Sequence, residues 1–198
     1  LAANKQLERL PSCATCATPG CCSQMVLLTL FEATVLARRL LQTGRDTPGL
    51  RRHLGQLGRE QDQLGRHGWW RQAKPCPLLK QGRCSVYDVR PVMCRAHFAW
   101  SEPRLCQPPE SHTITTVEMV GVGRALVQIN AEMSEQLDLG YEFFYAGNLP
   151  RMLVLGLRLL DFDGEDGGRY LKKQKFMTHA EMIEWFGRAA APEKTAVQ

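Results

Sequence analysis

The sequence predicts a mainly α fold in which an irregular, metal-organised cysteine module packs on a small helical bundle. Three observations predict it. Several stretches carry apolar residues at helical spacing behind helix-start signals. Residues 68–109 instead hold Pro, Gly and Cys with short apolar pieces and no sustained period. All eight cysteines lie within the first 106 of 198 residues.

The elements follow in order. Residues 24–28 read as a short extended piece, and Thr29-Leu30-Phe31-Glu32 is a capping-box pattern that starts a helix to about Gln42. Leu30, Ala33, Ala37 and Leu40 form its apolar face, Arg38 and Arg39 suit the negative end of its dipole, and Gly44 ends it. Thr47-Pro48 is an N-cap with a first-turn proline, opening a second helix whose stripe is Leu50, Leu54, Leu57 and Leu64. Thr115 to Glu118 is another capping box, before an amphipathic helix of about six turns on Met119, Val122, Leu126, Ile129, Met133 and Leu137. Gly121 and Gly123 either weaken that helix or admit a close neighbour. Residues 149–160 read as a short buried helix, and Thr178 to Glu181 caps a last one carrying Met182, Trp185 and Phe186. The tail beyond Ala189 reads as frayed.

Composition divides the chain near Pro108-Pro109. Residues 1–110 carry 16 basic and 8 acidic side chains, and residues 111–198 carry 9 and 12, within an overall charge of +5. The expected organisation is a cysteine-cluster metal-binding module at 1–110 and a helical extension at 111–198 that packs on it. Leu1 to Leu10 has no leader pattern, so the expected location is cytoplasmic. The longest near-apolar run, residues 152–160, is far short of the ~20 residues that a membrane helix requires.

The first cysteine group is Cys13-x2-Cys16-x4-Cys21-Cys22. Two cysteines separated by two residues can aim both sulfurs at one tetrahedral centre. Neighbouring side chains diverge, so one of Cys21 and Cys22 joins that centre while the other serves a second centre, a disulfide or the core. The second group is Cys76-x7-Cys84-x9-Cys94-x11-Cys106, with Gly, Pro and Arg beside its sulfurs. Rigid Pro and Gly turns present backbone N–H groups that hydrogen-bond to metal-bound sulfur. Arg83, Arg90 and Arg95 are placed to balance the charge of bound thiolates. Four thiolates around a divalent ion leave a charge of about −2, so the basic excess is read as compensation for sulfur, and no specific nucleic-acid binding is expected.

At Cys76-Pro-Leu-Leu, Cys84-x-Val-Tyr and Arg90-Pro-x-x-Cys94-Arg, together with the first group, the sequence resembles the YkgJ-type CxxCxxCC cysteine-cluster family, a zinc- or iron-chelating domain. The resemblance covers residues 13 to about 106. It departs from the family signature in the four residues before the Cys21-Cys22 pair. A similar cluster in flagellin lysine N-methylase implies, by analogy, an iron–sulfur centre and a methyl-transfer alternative.

The candidate ligands are Cys13, Cys16, Cys21, Cys22, Cys76, Cys84, Cys94 and Cys106. The expected cofactor is an iron–sulfur cluster, 4Fe-4S favoured, with zinc as the alternative, and the expected role is accessory or redox. The alternatives are a protein-modifying enzyme, with His97 or Tyr87 near the cluster, and a zinc-stabilised interaction module; a protein partner belongs to either. His97 is read as a hydrogen-bonded structural residue ahead of a ligand, and Trp69-Trp70 as core or cluster cover. Asp161 to Gly168 resembles a calcium loop, but its twelfth position is Lys172, so it is read as a solvated acidic turn.

Overall fold

The computed structural model describes residues 20–99, 101–107, 121–139, 143–162, 166–178 and 180–182, and the fold is mainly helical. Its centre is set by two short strands that lead directly into two helices. β1 (Leu27–Thr29) pairs antiparallel with β5 (Ala146–Asn148), Leu28 lying opposite Gly147. β1 runs into α1 (Leu30–Gln42) and β5 into α5 (Leu149–Leu159), so the pairing starts the two helices together. The Thr29 capping box forms as expected: its side chain accepts from Glu32 N, and Glu32 Oε2 accepts from Thr29 N at 3.0 Å. Gly156 of α5 lies on the backbone of α1, where an added Cβ would stand 2.7 Å from the Ala33 carbonyl oxygen.

α2 (Pro48–Arg71) starts at Thr47, whose hydroxyl accepts from Leu50 N at 3.1 Å. It packs along α5, and Asn148 joins the two. The Asn148 Oδ1 caps α5 by accepting from Arg151 N at 2.9 Å, while Nδ2 donates to Gly58 O at 3.1 Å and to Asp62 Oδ1 at 2.7 Å. The stripe departs from expectation at its end. Gly65 breaks the helix at φ 63°, leaving Leu64 37% exposed, while Leu54, Leu57 and Gln61 are buried.

α4 (Val122–Gln136) begins at Gly121 in a left-handed conformation at φ 95°, with no neighbour where a Cβ would stand. Backbone conformation, and not close packing, therefore requires that glycine. The Thr115–Glu118 box and Met119 lie outside the described residues. The buried face of α4 is Leu126, Asn130 and Ser134, whereas the expected Ile129 and Leu137 are exposed. Polar side chains serve there because the Asn130 Oδ1 accepts from Tyr145 N at 2.9 Å, a backbone donor between β4 (Phe143–Phe144) and β5. β4 pairs with β6 (Met177–Thr178), and the Thr178–Glu181 box forms around Thr178. Trp185 and Phe186 lie outside the described residues.

The main apolar core draws on Leu28, Leu36, Leu54, Leu78, Val86, Tyr145, Leu153 and Phe176, and thus on both sides of residue 110. α6 (Asp166–Leu171) adds Leu171. Asp161 is tied to Arg51, which also holds Asp46 at 2.6 Å, and that guanidinium keeps the Asp161 carboxyl below the usual carboxylate range. The acidic turn therefore begins with an ion pair. Among the described residues no helix is long and apolar enough to cross a membrane.

Candidate metal centre

The site begins at a 3-10 turn, Gly20–Ser23, that carries Cys21 and Cys22. Gly20 seats this turn against a second one, Pro103–Cys106: a Cβ at Gly20 would collide with the Cys106 carbonyl oxygen. Cys106 is thereby brought to the first group's turn and is 8% exposed. The Cys22 carbonyl then accepts from Cys76 N at 2.7 Å, joining the two cysteine groups through backbone.

After α2 the chain turns through Ala73 at φ 52° into Cys76-Pro77-Leu78-Leu79. Leu78 is 1% exposed and anchors this loop in the main core. The Leu79 N–H donates to the Cys76 carbonyl at 2.9 Å, closing the turn, and the backbone N–H groups of Leu78 and Leu79 favour the thiolate form of Cys76 against its burial. β2 (Leu79–Lys80) and β3 (Arg83–Cys84) form a hairpin over Gln81 and Gly82, at φ 49° and 74°. Two left-handed residues make the tight turn whose twist suits a two-residue hairpin. This turn returns Cys84 opposite Leu79, next to Cys76.

Cys94 rides on α3 (Val92–Arg95), a single turn entered from Pro91. Glu32 holds it in place. Its Oε1 accepts from Val92 N at 2.7 Å while Oε2 completes the Thr29 capping box, so one carboxylate ties the Cys94 loop to the start of α1. Glu32→Ala would leave the partly buried N–H groups of Val92 and Thr29 without an acceptor, and is expected to cost about 2 kcal/mol. Metal affinity should fall about tenfold, since residues that orient ligands contribute at that level. Glu32→Gln keeps one acceptor oxygen and should lose roughly half as much stability. Thermal unfolding with a chelator-competition titration checks both, and unchanged affinity in Glu32→Ala would remove the clamp role.

The structure thus places Cys21, Cys76 and Cys84 within electrostatic range of Cys94, and Cys21 and Cys84 within range of Cys76. Cys22 adjoins through a side-chain hydrogen bond with Cys21. Burial and the neighbouring sulfurs raise Cys76 to about 11 and Cys94 to about 12, and the hydrogen bond to Cys22 followed by burial raises Cys21. Cys13 and Cys16 lie outside the described residues. Of the three arginines, Arg90 acts on Cys21 and Cys94 and stacks on Tyr87 at 4.1 Å. Arg95 is committed to backbone, donating to the Arg90 carbonyl at 2.9 Å and the Asp88 carbonyl at 2.6 Å, and Arg83 is exposed.

His97 does not follow expectation. Its Nε2 is buried without a hydrogen-bond partner, and burial, then Arg66, holds its pKa below the ordinary value. Trp69 is 1% exposed, a core side chain that lines the same small cavity as Cys22 and Cys76. Two contributors escaped the sequence reading. Glu32 was visible as a cap but not as a clamp, and Gln61 interrupts an apolar stripe as a buried amide.

Among the described residues no group of three or more His, Cys, Asp or Glu side chains stands close enough to hold a metal ion as it is. The donor set nevertheless suits a soft one. Sulfurs from three loops lie within electrostatic range, backbone N–H groups favour the thiolate of one of them, and a guanidinium offsets their charge. Protonated, partly buried thiols have no attraction that would draw them closer. Metal binding would supply it by displacing their protons.

The metal-free protein carries a pH signature in consequence. An unfolded cysteine ionises near 9.0 and folded Cys76 only near 11, so between those values the unfolded chain has released a proton that the fold retains. Stability therefore falls as pH rises through that window. The chelated protein is expected to melt lower at pH 10.5 than at pH 8.5, with a smaller fall in a Cys76→Ser, Cys94→Ser double variant. Equal falls in both proteins would show that other groups are responsible.

No curated protein and no solved structure matches the chain. Residues 12–118 match the family described as "CxxCxxCC: Putative zinc- or iron-chelating domain", a span that holds all eight cysteines and the three loops where the thiols converge. With more than half of its length matched, the chain belongs to the CxxCxxCC family.

Proposed function

We propose that this protein carries an iron–sulfur cluster, 4Fe-4S, on Cys21, Cys76, Cys84 and Cys94, and serves as an accessory or electron-transfer protein. The reading is supported by four thiols on irregular loops within electrostatic range of Cys76 or Cys94, with the N–H groups of Leu78 and Leu79 placed to hydrogen-bond to a Cys76 thiolate and Arg90 acting on two others. Such hydrogen bonds and charges set the potential of an iron–sulfur centre. Soft thiolate sets also select zinc, which makes a zinc-stabilised interaction module the second reading.

The test is purification of the full chain without oxygen, followed by its visible spectrum and by iron, sulfide and zinc per chain. A brown protein with about equal iron and sulfide supports the proposal. A colourless protein loaded with zinc overturns it and leaves the interaction module. The enzymatic alternative is tested by titration with S-adenosylmethionine, and absence of binding removes the methyl-transfer analogy.

A further inference from the structure

Behind the cysteine loops lies a cavity of about 10 Å3, room for a single water-sized molecule. Cys22 and Cys76 line it, as do Gln24, Gln61 and Trp69. Gln61 is 3% exposed, and its Oε1 is buried without a hydrogen-bond partner. Leaving an amide carbonyl so costs roughly 1–3 kcal/mol. An apolar side chain would avoid that cost. Gln61 continues the buried stripe of Leu54 and Leu57, where leucine would suit the helix equally well and bury no polar atom. Buried polar atoms of this kind are ordinarily satisfied by ordered water.

We propose that the cavity is a binding site for one small protic molecule, water in the resting protein, which donates one hydrogen bond to Gln61 Oε1 and another to the metal-bound thiolate of Cys76. Both groups are acceptors, so the occupant must be a double donor. A monatomic anion has no proton to donate, and protonated oxyanions and larger ligands exceed the volume. A thiolate that accepts a further hydrogen bond gives less electron density to its metal. Gln61 is therefore a positioning residue that tunes the centre through the bound molecule. The inference rests on chelation by Cys76 but not on the identity of the metal.

Cobalt(II) is the probe, because its thiolate charge-transfer bands report sulfur donation whether the native metal is zinc or iron. A crystal structure of the cobalt-loaded full chain should show one oxygen-sized peak within about 3.2 Å of Gln61 Oε1. Gln61→Met, close in volume, should lose that peak and move the charge-transfer band to longer wavelength. Gln61→Glu, which keeps an acceptor, should leave the band near its wild-type position. A dry cavity in the wild type overturns the proposal, as does a Gln61→Met spectrum identical to wild type. Failure to bind cobalt at all would instead strike at chelation itself, and a colourless zinc protein strikes only at the iron–sulfur reading.

Discussion

Cys84→Ser is expected to purify with little metal and to lose stability in two separable regions. The hairpin fixes Cys84 next to Cys76, so the neighbouring thiols cannot replace the missing sulfur without breaking the Leu79–Cys84 pairing. A thousandfold loss of metal affinity removes about 4 kcal/mol of ligand-linked stability when metal is in excess. That loss should not be shared evenly. The α1/α5 contact is made of Leu36, Ala33, Leu153 and Gly156, and it needs no sulfur. Residues 72–99 have only two-residue strands and single turns of helix, so their order depends on the centre. Hydrogen exchange on Cys84→Ser should therefore show rapid exchange across residues 72–99 with protection retained in α1 and α5. Uniform loss through α1 would mean that metal and core form one cooperative unit. Full metal content in the variant would remove Cys84 from the ligand set.

The same division explains what could be read from the sequence. Thr29, Thr47 and Thr178 were legible as helix starts because each cap is completed within three residues. Leu54 and Leu57 followed from helical spacing, but Leu64 did not, because one left-handed glycine ends the stripe. The face of α4 was misread for a different reason. Asn130 is buried to satisfy a backbone N–H at Tyr145, a partner fifteen residues away with no local signature. The metal centre was legible as a set of cysteines and not as a geometry. Which sulfurs meet depends on the Gln81-Gly82 turn, the Cys22–Cys76 backbone bond and the second oxygen of Glu32. Each of these is a single contact between segments, below the reach of any periodicity.

Gly156→Ala should produce the second large effect, and its sign is opposite to that expected from helix propensity. Alanine in place of glycine ordinarily favours a helix by about 1 kcal/mol. Here the added Cβ would lie 2.7 Å from the Ala33 carbonyl oxygen and 2.8 Å from its carbon, both backbone atoms of α1 that cannot turn aside. α1 and α5 must then separate along the contact that β1 and β5 align. Overpacking of this kind costs about 1–3 kcal/mol and occasionally more, and rigid backbone at the clash places Gly156→Ala near 3 kcal/mol. For a chain of this length that lowers the melting temperature by about 6–12 °C. Gly55→Ala in α2 is the internal control: its Cβ would meet only the far end of the Arg59 side chain at 3.7 Å, so the propensity gain should survive as a stabilisation of about 0.5–1 kcal/mol. The two variants separate close approach from backbone entropy, since both replace glycine by alanine within a helix. Stabilisation of Gly156→Ala would show that α1 and α5 are not in backbone contact, and with it the platform that carries Thr29, Glu32 and the Cys94 loop would lose its rigid base.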